Sequence, residues 1–312
     1  MKAAILIVTR DRAADLDLTL GSMKGLFVPD GVEAEILVVD NGSTDATQEV
    51  VRKHAGGPVP VRSIIEPKAG KSHGLNTGLA RSAGDVILFT DDDVRPPADW
   101  IAGMCAPIAS GRADAVAGGV KLAPSLIRPW MTKMHRTWLA ATEWLGDGRP
   151  CGLVGANMSI SRDVLKRVPA YDPELGGGAL GFFEDVLFGA QVLAAGFRIH
   201  DGLHVCMEHH FDPSRLGRET WVAGAGKRGE SHAYMGHHWE HWRGRFIRAR
   251  LWREQCRLAK WRSRNPDRMG ADGCSEEELQ LIYNCGVLRG HLRESARPRN
   301  YEHHGLVKLR HG

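Results

Sequence analysis

Short apolar runs separated by amphipathic stretches set the rhythm of the first two thirds of the chain. Ala3–Val8 (AAILIV), Glu35–Val39 (EILVV), Val61–Ile65, Val86–Thr90 (VILFT) and Ala113–Val120 are rich in aliphatic and β-branched residues, as strands buried on both faces should be. Between them the apolar period lengthens to that of a helix. Leu16, Leu20 and Met23 fall on one face after the first run. A helix after the second run ends near Gly56-Gly57, a short one closes at Gly84, and Ala98–Ala109 is helical. Within Asn41-Gly42-Ser43-Thr44-Asp45, Ser43 has the chemistry of an N-cap. This alternation predicts an α/β fold: a mostly parallel central sheet flanked by helices on both faces. In such sheets ligands gather beyond the carboxyl ends of the strands.

Residues 121–150 interrupt the rhythm with a helical insertion carrying Trp130, Trp138 and Trp144. Core packing is the first reading of these rings, and a lid or acceptor wall the second. Cys151–Ser161 returns to a strand, with close approach permitted at Gly155. Arg162–Arg167 is a short helix. Tyr171–Gly181 contains Gly176, Gly177, Gly178 and Gly181, which predicts a flexible loop. The loop delivers Glu184 and Asp185 to the start of a helix over Val186–Ala195, closed by Gly196. Phe197–Val205 is a strand leading to Glu208-His209-His210. A last helix, Ser275–Ser295, opens with a Ser275-x-x-Glu278 capping box.

The chemistry collects at the strand ends. Asp91, Asp92 and Asp93 follow Val86–Thr90 directly. Three like charges there repel one another and call for a positive partner, for which a hard divalent cation with oxygen ligands is suited. A solvated acidic turn before Pro96-Pro97 is the bland alternative. Asp11 and Asp40 also follow predicted strands, so one rim gathers carboxylates from segments far apart in sequence. Glu184 and Asp185 complement a helix dipole on one reading and reach into a site on the other. His209 and His210, near an acidic rim, are candidates for a metal or phosphate.

Two nucleotide-binding patterns fit poorly. No G-x-G-x-x-G follows the first strand, where the chain reads TRDRAADL, which disfavours a nicotinamide or flavin enzyme. Ile65–Ser72 (IEPKAGKS) ends like a P-loop, but Ile65 replaces its first glycine and the loop sits on the third strand. A P-loop-like NTPase therefore stands as an alternative only.

Composition refines the picture. With 312 residues, 43% hydrophobic and 25% charged, the chain suits one large globular domain or two smaller ones. Six scattered cysteines without a C-x-x-C read as free thiols of a reducing compartment. No apolar run reaches the ~18 residues of a membrane span, and Ala3–Val8 is short for a signal peptide. The expectation is a cytoplasmic protein, with peripheral contact at the inner face of the plasma membrane. The net charge is only +4, yet residues 239–264 hold nine Arg and Lys against Glu240 and Glu254, among Trp239, Trp242, Trp252 and Trp261. That mixture suits an anionic membrane surface. No nucleic-acid recognition motif accompanies it. A non-catalytic membrane- or glycan-binding module using this segment is a further alternative.

Taken in order, TRDRAADL, VVDNGSTDAT, GKSHGLNTGLARSAGD, FTDDDVRPPADW, GANMSISRDVL, GGALGFFEDVLFGAQVLAAGFRI and EHHFDPSR resemble glycosyltransferase family 2, in its bacterial polysaccharide and glycolipid type. The resemblance covers about residues 1–235. It implies a GT-A nucleotide-diphospho-sugar transferase domain over 1–235 and a helical Trp/Arg-rich extension over 236–312. It implies inverting, metal-dependent transfer from a UDP- or GDP-sugar to a glycan or lipid-linked acceptor, with Mn²⁺ or Mg²⁺ as cofactor. By the same resemblance Asp185, beside Glu184, is the catalytic base. Asp40 holds the nucleobase or ribose, with Thr9, Arg10 and Asp11 beside it. Lys71, Asn76, Asp91 and Asp92 belong to the nucleotide pocket. Asp93, Asp91 and His209 belong to the metal. Relatives carry an Arg shortly before the Asn of their N-x-G motif; here Ser72-His73-Gly74 stands there, so Lys71 or His73 takes that role.

Overall fold

The computed structural model describes residues 1–145, 152–266 and 272–309. Its centre is a sheet of eight strands in the order β3-β2-β1-β4-β7-β6-β8-β5: β1 Lys2–Thr9, β2 Glu33–Asp40, β3 Val61–Ile65, β4 Val86–Thr90, β5 Val94–Arg95, β6 Ala115–Leu122, β7 Asn157–Ser161 and β8 Ile199–His209. The first four form the expected parallel half. The other half is mixed: β7 runs antiparallel to β4 and β6, β8 runs parallel to β6, and β5 is antiparallel to β8. Residues 146–150 of the insertion and Cys151, the start of the expected strand, lie outside the described residues.

Helices cover both faces: α1 Ala13–Met23, α2 Thr47–His54, α3 Lys71–Arg81, α4 Trp100–Ala109, α5 Lys133–Trp138 and α6 Glu184–Ala194. The side chains of each inner strand divide between two cores, as strand alternation requires. Ile5, Ile7, Val38 and Leu88 pack with Leu16, Leu20, Trp100 and Met104 on one face. Leu6, Leu37, Ile87 and Phe89 pack with Leu75, Leu79, Tyr171 and Phe188 on the other.

Three local expectations are corrected. Ser43 does not cap α2; its hydroxyl accepts from the Asp11 amide, and Asp45 accepts from Thr47 N instead. The loop at 171–181 is hydrogen-bonded within itself, Gly181 N to Gly176 O, and to α3, Ser72 Oγ to Leu175 O. Its glycines serve positive φ and close approach: Gly178 has φ +86, and a Cβ there would lie 2.9 Å from Gly70 Cα. Ser275 caps the last helix through Glu278 N, but the Glu278 carboxylate holds Arg218 and Arg262.

The rest of the chain forms a helical flank: α7 Arg218–His238, α8 Ile247–Arg264 and α9 Glu276–Glu294. Residue 235, the expected domain boundary, falls inside α7. Tyr234, Met235 and Trp239 pack with Leu175 and Leu187 of the sheet-bearing part and with Tyr301. The backbones of α7 and α9 meet at glycine: a Cβ on Gly229 would collide with Tyr283 O, and one on Gly286 with Gly226 O. The terminal segment then returns to residues 172–174, where Lys308 Nζ bonds Asp172 and Glu174 at 2.6 and 2.7 Å.

Candidate active site

The rim at the carboxyl ends of β1 and β4 opens into a cleft of about 640 Å³. Register builds it. Thr9 is the last residue of β1, and the Asp triplet follows β4 directly. Thr9 Oγ1 donates to Asp92 Oδ2 at 2.6 Å, and Arg12 reaches both Asp92 (3.3 Å) and Asp93 (2.8 Å). Asp92 is buried, and that burial pushes its carboxyl up to about 7 although Arg12 opposes it. Burial alone would raise Asp93 too, but His209, Arg12 and Arg215 outweigh it and hold the group well below the usual carboxylate range.

His209 arrives because β8 continues past its predicted end at Val205. Val94 pairs with His209 across β5 and β8, and His210 N donates to Asp93 O at 2.7 Å. His209 Nδ1 lies 3.0 Å from Leu139 O. A carbonyl only accepts, so Nδ1 carries a proton there and Nε2 points the other way. That nitrogen stands 3.2 Å from Asp93 Oδ1, a buried oxygen without a hydrogen-bond donor. A carboxylate oxygen and an imidazole nitrogen placed this way could both ligate a cation. Among the described residues no three carboxylate, imidazole or thiolate groups converge. Asp93 and His209 would therefore supply two ligands, with ligand and water oxygens completing the shell. Asp91 is turned away from this pair, toward Lys71 at 2.8 Å.

Deeper in the cleft, Lys71 also approaches Glu184 at 3.5 Å. Burial disfavours its charge, but Asp91 and Glu184 more than offset this and raise its pKa. Phe183, in the left-handed region at φ 74, turns the chain into α6. Glu184 is thereby buried, and burial pushes its carboxyl up to about 7 against the pull of Lys71. Asp185 is only partly buried. It accepts from Gly155 N at 2.9 Å and from Val186 N at 2.8 Å. The close approach expected at Gly155 is thus made by Asp185 and Lys71.

Thr9, Arg10, Lys71, Asp91, Asp92, Asp93, Glu184, Asp185 and His209 all line this one cleft. Asp11, Asp40 and Asn76 do not. Asp11 (φ 51) turns to accept from Thr44. Asp40, 3% exposed, is engaged by Ser43 N and Gln48 Nε2. Asn76 bonds the Tyr171 backbone through both ends of its amide. Of the two candidates for the missing Arg, Lys71 lines the cleft and His73 does not. The P-loop likeness also fails geometrically. Gly70 N donates to Asn41 Oδ1 and Lys71 N to Gly177 O, so these amides are not free to cradle phosphate.

Sequence reasoning missed Asn41, Arg12, Arg215 and Arg228, although Arg12, Asn41 and Arg215 lie inside motifs already singled out; the wall at 137–142 falls in the insertion for which a lid or acceptor wall is the second reading. Trp138 joins the cleft wall, while Trp130, Trp138 and Trp144 also pack against the helical flank. A larger groove, about 1380 Å³, runs between α8, α9 and Trp130 and holds none of the rim carboxylates. No helix among the described residues is long and apolar enough to cross a membrane.

Comparison with known proteins agrees with this architecture. The family model described as glycosyl transferase family 2 matches residues 4–168, more than half of the chain. That segment contains Lys71 and the Asp triplet but not Glu184, Asp185 or His209. Glycosyltransferase AglE of Haloferax volcanii is 29% identical over 119 residues, 38% of this chain and 39% of AglE. Probable glycosyltransferase YdaM of Bacillus subtilis is 25% identical over 182 residues, 55% of this chain and 43% of YdaM. The chain thus spans less than half the length of either relative. Among solved structures, the mannosyltransferase PcManGT from Pyrobaculum calidifontis, in complex with GDP-Man and Mn²⁺, superposes with TM-score 0.56 at 17% identity, covering 94% of this chain and 74% of its own. S. aureus TarS with UDP superposes with TM-score 0.53 at 17% identity, covering 93% and 89%. The mixed α/β sheet with its helical flank is the GT-A fold of these proteins, and the chain belongs to glycosyl transferase family 2.

Proposed function

We propose that this chain transfers a glycosyl group from a nucleotide-diphospho-sugar to an acceptor hydroxyl, with inversion at the anomeric carbon and a divalent cation at Asp93 and His209. The observation that carries the reading is the buried Oδ1 of Asp93, without a hydrogen-bond partner, facing His209 Nε2 in a cleft that also holds Asp185. A cation there would neutralise charge developing on the leaving diphosphate. Arg12 and Arg215 flank the same carboxylate and add fixed positive charge. Lys71 fixes Asp91 beside them.

Asp185 is the group we assign to proton removal. Gly155 N and Val186 N hold its carboxylate in one orientation, and it takes the acceptor proton as the new bond forms. Glu184 is turned inward to Lys71 and keeps the helix start in place. A single displacement needs one base and no covalent intermediate. PcManGT was solved with GDP-Man and Mn²⁺ and TarS with UDP, which supports a nucleotide-sugar donor and a divalent ion here. Mixed oxygen and imidazole ligation favours Mn²⁺ over Mg²⁺.

The test is a panel of UDP- and GDP-sugars read by diphosphate release and thermal shift, with and without Mn²⁺. Donor binding is expected to require Mn²⁺ in the wild type and to lose that dependence in Asp93→Ala. Full activity in chelator after metal stripping would sink the assignment.

A second reading concerns the acceptor's location. Of the four tryptophans in 239–264, Trp239 is buried, Trp242 packs on Gly236 and His232, and Trp261 donates to Glu277. Trp252 and Phe246 are 68% and 76% exposed on and beside α8, among arginines. This supports contact with an anionic membrane, which suits a lipid-linked acceptor. Sedimentation with anionic but not neutral vesicles, reduced in Trp252→Ala, is the expected pattern, and equal behaviour with both would remove the idea. The free cysteines 105, 206, 256, 274 and 285 support a reducing, cytoplasmic setting.

A further inference from the structure

The cleft has a side pocket of about 130 Å³, lined by Trp138, Leu139, Phe182, Arg215, Thr220, Trp221 and Arg228 with the small residues Gly224 and Ala225. Trp138, Leu139, Phe182, Arg215 and Arg228 also line the main cleft, so the two spaces adjoin. Among the described residues no carboxylate lines the pocket. Two carbonyls of its wall are engaged: Trp138 O accepts from Arg228 Nη2 at 2.9 Å and Leu139 O from His209. The wall also holds donors without an acceptor. Arg228 Nε and Trp221 Nε1 are buried and have no acceptor. Unpaired buried donors are costly, and an anion held by these two residues would relieve that cost.

Arg228 is also held in an orientation that suits a ligand. Its guanidinium lies over the Phe182 ring at 4.1 Å and the Trp138 ring at 5.1 Å. A flat guanidinium fixed in this way is ready for planar, charge-assisted pairing with an oxyanion. No ion pair of Arg228 occurs among the described residues; burial disfavours its charge, and Asp185 and Glu184 favour it. Arg228 and Asp185 line the same cleft.

We propose that this side pocket receives an oxyanion, phosphate or carboxylate, carried by the acceptor near the hydroxyl that is glycosylated, with Arg228 and the Trp221 indole N–H as its donors. The inference rests on the transferase reading of the main cleft. A phosphate from the donor's own diphosphate is the other source of the same chemistry, and the test separates the two.

The full chain is loaded with Mn²⁺ and saturating UDP or GDP, which fills the diphosphate position, and is then titrated with inorganic phosphate by calorimetry. A second titration omits nucleotide. Phosphate is expected to bind in both. Arg228→Met should weaken it by about tenfold or more, Arg228→Lys less, and Trp221→Phe, which keeps an aromatic side chain but removes the N–H and part of the indole's bulk, by about two- to fivefold. Nucleotide affinity should move less than about twofold in all three. Phosphate that binds only without nucleotide places the anion at the diphosphate position and overturns the proposal. So does equal phosphate binding by wild type and folded Arg228→Met. If neither nucleotide binds, the transferase reading falls instead, and the nucleotide-free titration still decides the pocket through the same variants.

Discussion

Replacing Asp185 with Asn separates binding from chemistry at this site. The substitution keeps shape but removes the basic oxygen. Loss of a general base costs about 10²–10⁴ in rate, or ~2.7–5.4 kcal/mol of transition-state stabilisation. The structure adds a smaller term. Oδ2 accepts from Gly155 N and Oδ1 from Val186 N, and an amide can accept only at its oxygen. One of these N–H groups then faces NH₂, at a cost of ~1–3 kcal/mol in stability. The expected result is a modestly lower urea midpoint, near-normal nucleotide affinity and a collapse of kcat. Rapid-quench measurement of diphosphate release under conditions where chemistry limits turnover reads the rate, and titration of the nucleotide reads the pocket. Glu184→Gln should be milder, because Lys71 keeps Asp91 at 2.8 Å when its 3.5 Å partner is weakened. If Asp185→Asn keeps more than about a tenth of wild-type kcat, the base assignment is wrong. A product with retained anomeric configuration would reject single displacement itself.

Three further outcomes follow from buried polar groups. Burial raises Glu184 from 4.5 to about 7, so between those values the folded protein keeps a proton that the unfolded chain has released. Stability contributed by this group is lost as pH rises through that window, and the Tm of Glu184→Gln relative to wild type should climb from pH about 5 to about 8; a flat difference in scanning fluorimetry would contradict this. Lys308→Met removes the cation from Asp172, which is fully buried but keeps the Tyr234 and Tyr301 hydroxyls; a loss of about 3 kcal/mol is expected in urea unfolding, and no loss would mean the terminal segment is not docked. Asp40→Ala strands Ser43 N and Gln48 Nε2 and should cost about 2–4 kcal/mol of stability. Unchanged stability with weakened nucleotide binding would return Asp40 to the ligand.

Much of the sheet was legible because its strands are buried on both faces. Val61–Ile65 and Val86–Thr90 match end to end. The mixed half was less so, since an apolar run does not tell strand direction. Helix α7 escaped because its contact face is built from glycine and small residues rather than a periodic apolar stripe. The acidic members of the cleft were readable as motif positions at strand ends. Of their cationic partners only Lys71 was read: Arg12, Arg215 and Arg228 meet the acids only through folding, and no sequence spacing carries that distance. Asn76 and Asp40 show the converse. Each sits in a motif, yet its polar atoms are spent on neighbouring loop or helix groups.

The glycine contact between α7 and α9 has a consequence for how such an enzyme diversifies. Arg228 stands one residue before Gly229, whose missing side chain lets α9 touch the α7 backbone. The position of the cleft wall is therefore indexed to residues 276–294 with a tolerance smaller than one methyl group. The helix pair leaves little room for substitution at this contact. A chimera that exchanges acceptor range between relatives must transplant α7 and α9 together, and a graft that stops at residue 235 would carry Arg228 into the new host without the surface that sets its height.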